Sequence, residues 1–175
     1  FTDADISSNI LKKILKKVLS TTFNAITVDS DTSTNDSVVI FSTKKVKLGN
    51  LTSISSPTII KFEEALRTVC LDLAKQVVVD GEGAKKFITV KIVNSKSVSA
   101  AKKIAFSIAN SPLIKTAVGG EDPNWGRIVM GIGKSCEKID LKKLTIKLGE
   151  FIIAEKGKIS ESYDENKLKE YMKWD

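Results

Sequence analysis

Residues 87–110, FITVKIVNSKSVSAAKKIAFSIAN, contain a strand pattern followed directly by a helix pattern. Its first part, residues 87–93, is rich in the β-branched and aromatic residues that strands favour. Its second part, residues 97–110, is rich in alanine and predicts a helix that stops at Ser111 and Pro112. A strand followed directly by a helix indicates a protein built from both kinds of element.

The sequence on either side extends this pattern. Apolar residues recur at helical spacing over 6–19 with lysines on the opposite face, and Ser7 or Ser8 is the expected cap. We interpret this amphipathic helix as structural rather than membrane-binding. The other predicted elements are strands at 23–28, 38–41, 144–148 and 151–154, helices at 59–79 and 164–173, and a surface loop at 44–57. We predict a single α+β domain over residues 1–175, with a mixed or antiparallel sheet and packed helices.

Composition excludes several classes of site. The chain has 175 residues, 28 Lys and Arg, 21 Asp and Glu, and no histidine. Without an imidazole, this chain alone cannot form Ser-His-Asp, Cys-His or His-metal sites. Cys70 and Cys136 are too few for a disulfide framework, so we expect a reducing, intracellular compartment. No apolar run approaches the ~18 residues of a membrane span and no signal-peptide pattern is recognised, so we expect no membrane partner.

The net charge of +7 raises nucleic acid as a partner. However, Arg67 and Arg127 are the only arginines, and pairs of lysines are dispersed along the whole chain rather than gathered in one arm. We therefore expect no nucleic-acid partner. A lysine-rich nucleic-acid binder is the minor alternative, and it predicts an affinity for oligonucleotides that falls steeply with salt.

Three segments carry more glycine and polar residues than structure alone requires. Residues 29–36 hold three carboxylates among hydroxyls, and we interpret them as a turn that caps its own backbone, with metal binding as the alternative. Residues 80–83, Asp-Gly-Glu-Gly, stop a helix and hold Glu82 either in solvent or in a cleft. Residues 119–127 contain one of two tryptophans and one of two arginines, and form either a structural loop or a binding site.

Four motifs in one order give the sequence a family resemblance: TDA at 2–4, TVDSDTSTND at 27–36, DGEGAK at 80–85 and GEDPNWGR at 120–127. With these motifs the chain resembles the β chain of the bifunctional ornithine acetyltransferase family, also called glutamate N-acetyltransferase. Ser30 stands where that family usually has glycine. The resemblance implies an α/β sandwich of the ornithine acetyltransferase type.

The resemblance also implies an enzyme of arginine biosynthesis that transfers the acetyl group of N-acetylornithine to glutamate and releases ornithine. Family members are made as one precursor that cuts itself autocatalytically before a threonine, which becomes an N-terminal nucleophile with its own α-amine as base. The expected partner is the α chain of the same precursor, in a cytoplasmic α2β2 heterotetramer. No metal and no bound cofactor are expected, and acetyl-CoA is left open as a co-substrate.

Only one site residue transfers from the family to this chain. Glu82 matches the family's substrate-contacting glutamate, so we predict that it binds substrate. The family's nucleophilic threonine lies just upstream of the residue that matches Phe1; we therefore assign no catalytic residue and expect a chain that lacks both termini. Thr2 matches a different family position. We expect Asn124, Trp125 and Arg127 to have structural roles as scaffold residues. The alternative to the enzyme is a non-enzymatic β-like fragment that binds only a partner chain or a small amino acid.

Overall fold

The computed structural model describes residues 1–49 and 53–173. Its elements form two compact units, a first unit of residues 1–82 and a second unit of residues 83–175. Helices and small sheets occur in both, which confirms the predicted α+β class. The single domain over residues 1–175 stays a prediction. Within the described ranges, none of the helices is long and apolar enough to cross a membrane.

In the described part of the first unit, a pair of strands lies beside two helices. The elements in chain order are β1 (Thr2–Ala4), α1 (Ser8–Leu19), a 3₁₀ turn (Phe23–Ala25), β2 (Ser42–Val46) and α2 (Pro57–Val79). β1 and β2 pair in parallel, and the Asp5 N–H donates to the Val46 carbonyl at 2.8 Å. The core joins one face of α1 to Ile6, Ile59 and Cys70.

Helix α1 begins and packs as its sequence predicts. The Ser7 hydroxyl oxygen accepts a hydrogen bond from the Ile10 N–H at 3.4 Å, so Ser7 is the cap. The apolar face is buried and the lysine face is exposed, with Ile10, Leu11, Ile14 and Val18 on one side and Lys12, Lys13, Lys16 and Lys17 on the other. Burial of this apolar stripe is what holds the helix in place, since isolated helices of this length are marginal in water.

The second unit combines helices with an antiparallel sheet. Its described elements are α3 (Val98–Ala109), α4 (Pro112–Gly119), α5 (Trp125–Lys134), a 3₁₀ turn (Leu141–Lys143), β3 (Thr145–Leu148), β4 (Phe151–Glu155), β5 (Lys158–Ile159) and α6 (Glu165–Met172). The strand order is β3-β4-β5, so β4 is central, and its Ile153 is fully buried. Helix α5 approaches α4 closely at Gly131, where a Cβ would lie only 2.9 Å from Ile114 Cδ1.

Three predicted strands prove wrong in the described structure. Residues 23–28 begin with the 3₁₀ turn Phe23–Ala25, and neither 38–41 nor 87–93 belongs to a strand ladder. Strand-forming composition favours extended chain, but a ladder also needs repeated backbone hydrogen bonds to a neighbouring strand. Among the described residues, 88–93 make no backbone hydrogen bond, and of 38–41 the Phe41 carbonyl alone is bonded to β1, through the Thr2 N–H at 2.8 Å. The predicted loop at 44–57 is also wrong in part, because it includes the end of β2 and the start of α2; its residues 50–52 lie outside the described residues.

An ion-pair cluster joins the two helices of the first unit. Lys17 Nζ lies 2.9 Å from Glu63 Oε1, and Arg67 Nη2 lies 3.0 Å from the same oxygen. Hydrogen bonds from Lys17 and then Arg67 hold the pKa of Glu63 below its ordinary value of 4.5. A carboxylate with a lowered pKa in the folded state stabilises the fold above the unfolded pKa, and this stabilisation is lost as the pH falls through the folded pKa.

We therefore expect Glu63→Gln to lower the free energy of unfolding at pH 7 by about 0.5–1 kcal/mol. The difference between the wild type and this variant should shrink as the pH falls below 4.5, because protonated Glu63 resembles glutamine. Urea denaturation followed by circular dichroism between pH 7 and pH 3 measures both effects. The control is Glu64→Gln on the same helix, whose side chain is exposed. An identical pH response from both variants would contradict the prediction.

Candidate functional site

Glu82 lies in the turn that follows α2. The Asp80 N–H donates to the Gln76 carbonyl at 2.9 Å, which closes the last turn of the helix. Gly83 then has a φ of +70°, in the left-handed region that favours glycine. The Asp-Gly-Glu-Gly motif therefore ends α2, as its sequence predicts, and fixes the position of the Glu82 backbone.

The Glu82 side chain is exposed and has a free carboxylate. No hydrogen bond or ion pair to it is found among residues 1–49 and 53–173. The last carbonyls of α2 carry partial negative charge, and Asp80 adds a second carboxylate beside them. The end of α2 therefore favours a cation, and an ammonium group can be bound there through charge-assisted hydrogen bonds.

The 29–36 run is a turn that bonds to its own backbone. The Asp31 N–H donates to Asp29 Oδ1 at 2.9 Å, and the Asn35 N–H donates to the Ser33 hydroxyl oxygen at 3.2 Å. These bonds confirm the self-capping interpretation. Ser30 has a φ of +78°, which explains why glycine suits this position. In the part of the chain that the structure describes, no cluster of three His, Cys, Asp or Glu side chains is placed to hold a metal ion.

The last motif, residues 120–127, joins α4 to α5 inside the second unit. Asn124 Oδ1 accepts from the Arg127 N–H at 3.3 Å and caps α5. The Arg127 guanidinium donates from Nη1 to the Leu113 carbonyl at 2.6 Å and to the Thr116 hydroxyl oxygen at 3.0 Å. Trp125 packs against the core of the second unit. These contacts hold two helices together, as expected of scaffold residues.

Sequence patterns miss α4 and α5, and with them the contacts of Arg127. The signals were present: Pro112 occupies the first turn of α4, and Asn124 is a residue type that begins helices. The density of Gly, Pro and polar residues at 119–127 indicates a loop, but the loop is short and Trp125 already starts the next helix.

The four motifs are divided between the two units. The motif at 2–4 forms β1, and both it and the 27–36 run lie in the first unit, where Glu82 is the last residue. The motif at 120–127 belongs to the second unit. Within the described residues, no hydrogen bond or ion pair joins Glu82 to the 29–36 run. The role of Glu82 in binding substrate stays a prediction.

Comparison with known proteins places the whole sequence in one family. The ArgJ family model matches residues 1–175. The arginine biosynthesis bifunctional protein ArgJ of Bartonella quintana is 48% identical over 174 residues, which are 98% of this chain and 42% of that relative. The protein of the same name from Mesorhizobium japonicum is 46% identical over 177 residues, 99% of this chain and 43% of that relative. This chain belongs to the ArgJ family.

The fold agrees with this assignment. The crystal structure of the arginine biosynthesis bifunctional protein ArgJ from Bacillus halodurans matches with a TM-score of 0.89 at 36% sequence identity. The match covers 98% of this chain and 80% of that chain. The family resemblance drawn from the four motifs is thus confirmed. The chain spans about two fifths of the length of the curated ArgJ relatives it matches.

The contacts of Asn124 predict a structural effect of its replacement. Asn124→Ala should lower the free energy of unfolding by about 1 kcal/mol, because the first turn of α5 loses its cap. Asn124→Ser keeps a capping oxygen and should stay within a few tenths of a kcal/mol of the wild type. Urea denaturation of the two variants side by side checks this. Equal stability of the alanine and serine variants would show that the cap contributes nothing.

Proposed function

We propose that this chain is one part of a glutamate N-acetyltransferase of arginine biosynthesis, which transfers the acetyl group of N-acetylornithine to glutamate. The observation that carries the proposal is the ArgJ family match over residues 1–175, which contains all four motifs. The relatives are named bifunctional proteins of arginine biosynthesis. In this proposal the second activity is the acetylation of glutamate by acetyl-CoA.

The proposed nucleophile is an N-terminal threonine upstream of Phe1. Its hydroxyl attacks the acetyl carbonyl of N-acetylornithine while its own α-amine takes the hydroxyl proton. The C–N bond then breaks, the leaving nitrogen takes that proton, and ornithine departs. The neutral amine of glutamate then attacks the carbonyl of the acetyl-threonine ester, and the ester C–O bond breaks. The attacking nitrogen loses a proton to the threonine α-amine, which returns a proton to the threonine oxygen. An α-amine has a pKa of about 7.7–8.0, so it can act as a base near neutral pH in a chain without histidine.

Glu82 is the proposed contact for the side-chain ammonium of N-acetylornithine. Its carboxylate is exposed and without a partner in the described structure, so binding a substrate there breaks no existing ion pair. The carbonyl end of α2 and Asp80 add negative charge at the same place. Exclusion of water by bound substrate would strengthen the attraction between the carboxylate and the ammonium group.

The proposed enzyme contains a second chain, the α chain from the same precursor, in an α2β2 assembly. The curated relatives are more than twice as long as the segment that matches here. The solved Bacillus halodurans chain, of which the match covers 80%, is much shorter than those relatives, as expected of one product of a cut precursor. Exposed apolar residues on α2, namely Val69, Leu73 and Val77, supply surface for a partner to cover.

Intact-mass measurement under denaturing conditions tests the mechanism in the protein produced from its complete coding sequence. We expect two chains, with the chain that contains residues 1–175 beginning at a threonine. Incubation with N-acetylornithine alone should add one acetyl group to that threonine, and addition of glutamate should remove it. A single chain that never gains an acetyl group would favour the non-enzymatic fragment.

Glu82→Gln should raise the KM for N-acetylornithine at least tenfold in the complete enzyme, which corresponds to about 1.4 kcal/mol of lost binding. The kcat should change less, because the carboxylate binds the ammonium group in both the ground state and the transition state. Steady-state kinetics with varied N-acetylornithine measure both constants. Glu64→Gln, which removes an exposed carboxylate from the first half of α2, is the control. Unchanged kinetics in Glu82→Gln would remove Glu82 from the site.

A further inference from the structure

Lys86 has the first side chain after Glu82 that the described structure holds in place. That side chain is only 13% exposed, whereas residues 82–85 and 87–89 are exposed. Lys86 Nζ lies 3.6 Å from Glu121 Oε1 and donates to the Lys173 carbonyl at 3.3 Å. An ammonium group withdrawn from water is costly unless it is paired. A paired and largely buried lysine within an exposed segment therefore indicates an anchor.

Both partners of Lys86 lie just after the last turn of a helix. Glu121 follows the C-cap residue of α4, and Lys173 is the C-cap residue of α6. The carbonyl end of a helix carries partial negative charge, which favours a cation. Lys86 is thus attracted both by a carboxylate and by the carbonyl end of α6. These contacts all lie inside the second unit and tie its first residues to α4 and α6.

Glu121 has a backbone conformation that suits glycine better. Its φ is +58°, in the left-handed region. The Glu121 N–H donates to the Val118 carbonyl at 3.1 Å, and the Asp122 N–H donates to the Ala117 carbonyl at 2.8 Å. This is the Schellman arrangement that closes a helix, and its left-handed residue is usually glycine. The glutamate costs backbone strain, and what it adds over glycine is the carboxylate that pairs with Lys86.

The turn that carries Glu82 is held on both sides. At its start, the Asp80 N–H donates to the Gln76 carbonyl and the Gly81 N–H to the Val78 carbonyl, both in the last turn of α2. On its far side, the contacts of Lys86 hold the chain. The side chains of residues 82–85 form no hydrogen bond or ion pair in the described parts of the chain. A segment tied at both ends has fewer conformations than one tied at a single end, so loss of the Lys86 contacts would free this turn.

We propose that Lys86 is a positioning residue for Glu82: its contacts with Glu121 and the Lys173 carbonyl hold the turn in the arrangement that binds the substrate's ammonium group. This inference rests on the proposed function, in which Glu82 binds N-acetylornithine. A carboxylate that is already held in place loses less conformational freedom when it binds, and this raises affinity. Since the ammonium group is bound in both the ground state and the transition state, the effect falls on KM more than on kcat.

The charge of Lys86 lets the sign of the effect decide the matter. Glu82 is proposed to bind a cation, and a lysine four residues along the chain repels that cation. If Lys86 acted through its charge alone, its removal would lower the KM for N-acetylornithine. If Lys86 positions Glu82, its removal raises that KM.

Steady-state kinetics of the complete enzyme test the positioning role. We expect Lys86→Met to raise the KM for N-acetylornithine roughly three- to tenfold, with kcat within about twofold of the wild type. Lys86→Arg keeps a cation of similar reach and should restore most of the affinity. Lys85→Met removes the neighbouring exposed lysine and should not raise the KM, so it is the matched control. An unchanged or lower KM in Lys86→Met would overturn the proposal.

Limited digestion of the complete enzyme with trypsin tests the anchor without substrate and covers the case in which Lys86→Met does not fold. Glu121→Gln removes the ion pair but leaves the sequence around the exposed Lys85 unchanged. We expect cleavage after Lys85 to become about fivefold faster in this variant, because local opening exposes the bond more often. Cleavage after the exposed Lys156, between β4 and β5, is the internal reference and should not change. Equal cleavage after Lys85 in variant and wild type, or an equal increase at both bonds, would overturn the anchor.

Two replacements of Glu121 separate positioning from stability. Glu121→Gly and Glu121→Gln both lose the carboxylate, but only glycine suits a φ of +58°. We expect the glycine variant to unfold at a higher temperature than the glutamine variant, while both show the same raised KM for N-acetylornithine. A KM that instead follows the unfolding temperature would overturn the proposal, because Glu121 would then act through stability.

Glu82→Gln in the same assay distinguishes failure of this inference from failure of the proposed function. A raised KM in Glu82→Gln with an unchanged KM in Lys86→Met would overturn the positioning role alone. Unchanged kinetics in both variants would remove Glu82 from the site and overturn the positioning role with it. The trypsin measurement does not depend on acetyl transfer, so it tests the anchor in either case.

Discussion

The pairing of backbone hydrogen-bonding groups is the constraint on which both described sheets depend. A strand is stable only where a neighbour donates and accepts across it, and unpaired groups buried away from water are costly. β4 meets this requirement on both sides, and the fully buried Ile153 lies on it. Residues 88–93 meet it on neither side within the described structure, although their apolar face is packed. Among the described strands β3 pairs with β4 alone, so the sheet of the second unit has an open edge at β3.

The same constraint explains which elements could be predicted from the sequence. Helix signals are local: the spacing of apolar residues, a serine cap and a proline or glycine stop are all close along the chain, and α1, α2, α3 and α6 follow them. β3 and β4 were also predictable because a tight turn at Gly149 places one beside the other. The segments 23–28, 38–41 and 87–93 have no such neighbour in the sequence. Their composition reveals a preference for extended chain but not a partner.

The residues of the candidate site also differ in how far their roles could be predicted from the sequence. Residues whose role is local could be interpreted from the sequence: the self-bonding turn at 29–36 and the helix stop at 80–83 both behave as their residue types indicate. The contacts of Arg127 could not be predicted from the sequence, because they reach Leu113 and Thr116 on a helix that sequence patterns miss. The proposed contact of Glu82 with substrate is not encoded locally either, since the Glu82 carboxylate has no partner among the described residues.

The proposed cleavage would supply a base to a chain in which residues 1–175 contain no histidine. Within an uncut polypeptide, the nitrogen of threonine is an amide and is not basic, so the hydroxyl beside it has no base. Cutting the peptide bond before that threonine converts the amide into an amine with a pKa of about 7.7–8.0 and thereby supplies the base. No imidazole in residues 1–175 can replace it. In the proposed mechanism, the single cut creates both the nucleophile and the group that activates it, so an uncut precursor has no acetyl transfer through this threonine.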